Sequence, residues 1–173
     1  GLGFLACAAA AEQTRYYGIR AILTMFLIQF FFDEHNSWQV MGYFSLACQL
    51  SAVIGALAVD FFLRNRRSLL WGGILNTIGC IAICVSSFMA TPFEATDAQT
   101  VAAHNMPAII TFFVGLGAIV IGNGLFKPTL WASAGNLIHP TSQQRDGAFV
   151  LVALLMGIGG FFGPVFFGGI SEF

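Results

Sequence analysis

The sequence predicts an all-α membrane protein of five transmembrane helices, and three observations carry that prediction. Of its 173 residues, 57% are hydrophobic and only 9% are charged, whereas soluble domains carry about a quarter charged residues. Four stretches run for about 20 residues without a charge, the length needed to cross about 30 Å of hydrocarbon. Every Lys and Arg of the connecting segments falls on alternate connections, the second and the fourth. Nineteen Phe and 20 Gly fit the same class, because lipid-facing surface is apolar and close helix packing favours small residues. The net charge of −1 gives no broad basic surface, which points away from a nucleic-acid partner.

The first element, 2–32, is long and apolar but interrupted by Glu12, Arg15 and Arg20. The second, 39–59, and the third, 68–90, are uncharged throughout. The fourth, 107–138, is uncharged as far as Phe126 and then continues through Lys127 and Pro128. The fifth, 147–170, is uncharged and rich in glycine. These elements are expected to form a single transmembrane bundle over 1–173, with a sixth span and a second bundle absent from the chain.

The connections orient the bundle. Arg64, Arg66 and Arg67 follow the second element and Arg145 follows the fourth, while the other two connections hold Asp33, Glu34, Glu94 and Asp97 but no Lys or Arg. By the positive-inside rule the arginine-bearing side is cytoplasmic. The first span then starts inside and the fifth ends outside.

Cys7, Cys48, Cys80 and Cys84 all fall in apolar runs. Cys80 and Cys84 stand one helical turn apart, but His35, His104 and His139 lie in connecting segments. No metal-ligand set converges on that pair, which reads as ordinary buried thiols. No Ser/His/Asp arrangement and no phosphate-binding glycine loop is present, so neither an enzyme nor a cofactor is expected. The Gly-rich spans read as packing surfaces rather than as a channel filter.

The intramembrane charges are the most informative feature. At about 100° per residue, Glu12, Tyr16 and Arg20 fall at i, i+4 and i+8 with Arg15 beside them, a polar stripe over an arc of roughly 140°. Each charge at mid-membrane costs on the order of 2.5–3.5 kcal/mol, which makes exposure to lipid untenable. The stripe must therefore face other helices or a water-filled cavity. A Glu12–Arg15 pair that merely locks packing is the plainer alternative. Lys127 precedes Pro128, with a further uncharged run behind it, so a cavity-facing lysine is preferred to one that snorkels. One acid against three cations in the membrane calls for acidic groups from elsewhere: a second helical bundle, other membrane subunits, or a substrate.

Several of these strings resemble the proton-dependent oligopeptide transporter family of the major facilitator superfamily, in its amino-terminal half. Glu12-Gln13-Thr14-Arg15-Tyr16-Tyr17-Gly18-Ile19-Arg20-Ala21 resembles the first-helix signature ExxERFxYYGxRA. Gly122-Asn123-Gly124-Leu125-Phe126-Lys127-Pro128 resembles the fourth-helix string GNGLFKPN. Arg145-Asp146-Gly147-Ala148-Phe149 with the later Gly163-Pro164 is similar to the fifth-helix RDSAF and GP. Asp60 and Arg66 ahead of Gly72-Gly73 resemble the loop between the second and third helices, a structural element on the cytoplasmic side.

The resemblance implies two six-helix bundles with substrate held between them near mid-membrane. It implies substrate contacts at Tyr17, Arg20 and Asn123, and proton coupling between Glu12 and Lys127. Departures are equally plain. The first acid of the signature falls on Ala9 and its arginine on Gln13. The second-helix tyrosine falls on Gln49, and the fifth-helix tyrosine and asparagine fall on Ala153 and Gly157. Arg15 is an extra cation where the family has a small residue. The expected function is proton-coupled transport of short peptides or related small solutes. The alternative is a degenerate, non-transporting subunit of a larger membrane complex.

Overall fold

The computed structural model describes residues 2–30, 34–62, 65–90, 106–136 and 144–170. Five helices account for them: α1 (Leu2–Phe30), α2 (Glu34–Phe62), α3 (Asn65–Met89), α4 (Met106–Asn136) and α5 (Gln144–Ile170). Helix is the form that satisfies every backbone N–H and C=O within one segment, which hydrocarbon demands because it offers no competing water. The shortest helix has 25 residues, about 37 Å at 1.5 Å per residue, enough to cross the apolar layer.

Four helices are long and apolar enough to span a membrane, over His35–Val59, Arg67–Met89, Met106–Asn136 and Phe149–Phe166. With α1, which matches them in length but carries three charges along its middle, they make an integral, multi-pass membrane protein. The helix of α2 begins before its apolar core, taking in Glu34–Ser37, because helix formation continues wherever the backbone can pair, whatever the side chain. Arg64 and the connections 31–33, 91–105 and 137–143 lie outside the described residues, as do the side chains of Asp60, Arg66 and Arg145. Sequence alone therefore speaks for the sidedness of the arginines, of which Arg67 is exposed.

The chain forms two compact units, Phe26–Thr129 and Gly1–Met25 with Leu130–Phe173. In Phe26–Thr129 the contacts run through small residues. A side chain at Gly55 of α2 would collide with the Gly124 carbonyl of α4, and Gly124 in turn faces the backbone of Ser51. On the other flank of α4, Gly72 meets the Gly122 carbonyl and Phe126, and Gly79 meets Gly115 and Ile119. The descending and ascending numbers show that α3 and α4 are antiparallel. Ser86 Oγ closes the far end by donating to the Ala108 carbonyl at 2.8 Å. Lipid tails are as apolar as leucine, so association here rests on van der Waals contact at short range, which glycine permits.

Pro128 interrupts α4, where it lacks the N–H that a helix would give to the Gly124 carbonyl. A hydroxyl cluster braces the neighbouring turn. Thr129 Oγ1 lies 2.7 Å from the Leu125 carbonyl and 3.1 Å from Ser68 Oγ, which itself stands 3.3 Å from that carbonyl. Both hydroxyl residues are fully buried. Elsewhere Thr24, Ser45, Thr77 and Thr111 return their hydroxyls to the carbonyl one turn back, the usual way such groups are satisfied in an apolar medium.

In the other unit α1 and α5 run parallel. Gly159 lies against Ala10 and Thr14, and Gly163 lies against Thr14, Tyr17 and Gly18. The Tyr17 ring rests on Gly160, 3.3 Å from where a methyl would stand. Trp131 near the end of α4 stacks on Phe149 of α5, with centroids 6.2 Å apart and planes 20° from parallel.

The glycine contacts give a graded expectation for thermal unfolding in detergent. Gly55→Ala should cost about 1–3 kcal/mol, the range for overpacking. Gly73→Ala, where nothing stands within 4 Å, should leave the melting temperature in place. Equal melting temperatures for the two variants would disprove the close α2–α4 contact.

Candidate functional site

The polar stripe of α1 divides into a sealed part and an open part. Glu12 is only 6% exposed and Tyr16 only 7%, and they lie one turn apart on the same face. Tyr17 is 38% exposed and Arg20 is exposed as well. The Tyr16 and Tyr17 rings meet edge to face at 5.3 Å, an arrangement that suits their quadrupoles.

Arg15 turns toward Glu12. Its Nη2 stands 3.4 Å from Glu12 Oε1, with 23% of the arginine side chain and 5% of the glutamate side chain exposed. On its other side Arg15 lines a cavity of about 360 Å³ together with Ala11, Thr14, Ile19 and Ile22. Thr14 donates its hydroxyl to the Ala10 carbonyl at 2.9 Å.

Arg20 differs. Thr24 donates to its backbone carbonyl at 3.2 Å, and its guanidinium meets no acid among the described residues. An exposed guanidinium in the middle of an apolar helix offers a fork of donors matched to a carboxylate. Tyr17, three residues earlier, adds a phenol that both donates and accepts.

Two further sequence-predicted residues lie on α4, in the other compact unit. Lys127 is half-buried, one turn beyond Asn123. Asn123 is fully buried, and its Nδ2 donates to Cys48 Sγ of α2 at 3.7 Å. Across α4, the Asn76 side chain of α3 packs on Gly122 with its Oδ1 buried and lacking a hydrogen-bond partner. Glu12, Tyr17 and Arg20 thus share one unit, while Asn123 and Lys127 share the other. Asp60 closes α2 and Arg66 opens α3, with side chains outside those described. Ala153 and Gly157 are exposed on α5, and Gly157 has open space above it.

Sequence reasoning missed Cys48 as the acceptor for Asn123, and it missed the Ser68–Thr129 cluster. The first carries no local signal. The second has one, a threonine directly after an intrahelical proline, whose hydroxyl can bond back to the carbonyl one turn earlier.

Cysteine accessibility checks the division of the stripe. In a background with the native cysteines replaced by alanine, Arg20→Cys should react with a small hydrophilic thiol reagent at least about tenfold faster than Glu12→Cys, since burial shields a thiol from attack. Similar rates would show the stripe to be uniformly open or uniformly closed.

No family model matches the chain. Among curated proteins it is 29% identical over 163 residues to the peptide transporter YePEPT of Yersinia enterocolitica, covering 91% of this chain and 28% of that protein. It is 25% identical over 169 residues to a di-/tripeptide transporter of Lactococcus lactis, covering 93% of this chain and 30% of the relative. Among solved structures, a peptide transporter POT in complex with sulfate superposes with a TM-score of 0.79 at 26% identity, over 95% of this chain and 31% of that one. A POT family transporter in complex with 5-aminolevulinic acid has the same fold, with a TM-score of 0.78 at 24% identity and 99% of this chain covered. The chain thus spans about a third of the length of the proteins it matches.

Proposed function

We propose that this chain, whose relatives are peptide transporters and whose structural neighbours are POT family transporters, forms part of a proton-coupled carrier of short peptides or similar small solutes. The open Tyr17–Arg20 pair on an otherwise apolar helix is the observation that carries this reading. A cation kept in an apolar layer costs on the order of 2.5–3.5 kcal/mol, and an anionic substrate group recovers that cost only while it is bound. Arg20 takes the carboxylate of the solute and Tyr17 hydrogen-bonds its amide. Asn123, buried on α4 with its amide directed at Cys48 of α2, contributes to the wall of the solute site.

Glu12 and Lys127 carry the coupling. A buried carboxylate favours the state that brings a cation to it, and a proton on Glu12 removes that preference and releases Lys127. Binding and release then alternate with rocking of this bundle against a second one, which also supplies acidic partners for the cations of α1 and α4. The arginines at 64, 66, 67 and 145 set the cytoplasmic side.

A second reading, a membrane subunit that retains the scaffold without transporting, draws on Ala153 and Gly157. Their exposed positions on α5 present no polar group to a solute. Fixed companions that co-purify after detergent extraction, together with a lack of uptake, would favour it.

Reconstituted into liposomes with an inward proton gradient, the intact gene product should accumulate labelled dipeptide. Arg20→Ala should raise KM roughly 10–100-fold, the loss expected for one hydrogen bond to a charged group. Glu12→Gln and Lys127→Ala should each abolish accumulation against a gradient. Equal uptake by the wild type and all three variants would refute the assignment.

A further inference from the structure

Arg15 is the feature of α1 that the transport reading leaves unused, and it is the one cation of the helix absent from the first-helix signature. Three observations converge on it. Its guanidinium contacts Glu12 Oε1 at 3.4 Å. It lines the 360 Å³ cavity beside Ala11, Ile19 and Ile22. It lies one turn from Glu12, whereas Arg20 lies two turns away along the axis, about 12 Å. Among the described side chains of the same compact unit, the other ionisable groups are Cys7, Tyr16, Tyr17 and Arg20, all on α1.

We infer that Arg15 is a positioning residue for the coupling carboxylate, holding Glu12 Oε1 from one turn along α1 while itself lining the cavity. This rests on the proposed role of Glu12 in proton coupling. The physical reason is geometric. A glutamate side chain has three rotatable bonds, and at 6% exposure a carboxylate that swings off its track by one rotamer can neither meet a cation nor hand on a proton. An i,i+3 arginine fixes the rotamer because its fork offers donors in a set plane. The signature arginine is lost at Gln13, and Arg15 places a guanidinium two residues further along the same helix.

The test compares Arg15→Ala, Arg15→Gln and Arg15→Lys in two assays on the reconstituted gene product: accumulation driven by a proton gradient, and exchange of labelled for unlabelled dipeptide without one. Gradient-driven accumulation should fall about tenfold in the Ala and Gln variants, the low end for losing a charged hydrogen bond. The Lys variant should recover most of it, and exchange should fall several-fold less than accumulation. Wild-type accumulation matched by Arg15→Ala would overturn the inference and leave the transport reading intact. An equal loss in both assays with no rescue by Lys would reveal a purely structural arginine and also overturn it. Absence of gradient-driven accumulation in the wild type would remove both.

Discussion

A carboxylate at the middle of α1, 6% exposed and one turn from a guanidinium, sets the terms for everything packed around it. On insertion scales three charges near the middle of a span cost roughly 7–10 kcal/mol. The ten Leu, Ile and Phe residues of α1 return roughly 3–6 kcal/mol. Alone, the helix falls a few kcal/mol short of a comfortable crossing. The shortfall is met by neighbours that exclude lipid from Glu12 and Tyr16 and by the Arg15 contact, which spares a charge the full loss of solvation. An α1 of this composition is thus a helix that requires a bundle.

The bundle supplies that shelter by bringing backbones close together. Against α5, α1 presents Ala10, Thr14 and Gly18 to Gly159 and Gly163. A larger residue at either glycine would push the two helices apart and admit acyl chains toward the stripe. The same device recurs where α4 meets α2 at Gly124 and α3 at Gly115 and Gly122. Close approach has a polar consequence too, since Ser86 reaches the Ala108 carbonyl and Ser68 the Leu125 carbonyl only because the helices nearly touch. Small residues and hydroxyls form one packing system here, the first opening the gap that the second spans.

Much of this was legible in the sequence, for reasons that differ by residue. Uncharged runs such as 68–90 and 147–170 announce helices, since a membrane leaves few alternatives for such a stretch. Gly122 and Gly124, flanking an asparagine in an apolar run, announced a close neighbour. The division of the stripe was beyond reach. Glu12 and Arg20 fall within one arc of a helical projection, yet one is sealed and the other open, and only tertiary neighbours decide between them. Asn123 shows the same limit: a polar residue in an apolar span signals function, but its amide is directed at Cys48, 75 residues away, and no local pattern encodes that.

The two kinds of charge on α1 therefore answer to different pressures. Glu12 is buried and meets Arg15 within the helix, with 5% of its side chain exposed against 23% of the arginine's. Arg20 is held open, with no acid among the described residues, although a leucine there would insert at lower cost. Keeping an expensive cation exposed beside a tyrosine makes physical sense where its partner is transient, because a permanent acid would stabilise the helix yet occupy the site. The contrast between a buried carboxylate with a partner one turn away and an open cation between the cavity-lining Ile19 and Ile22 separates the group that the bundle shelters from the one that α1 offers to a visitor.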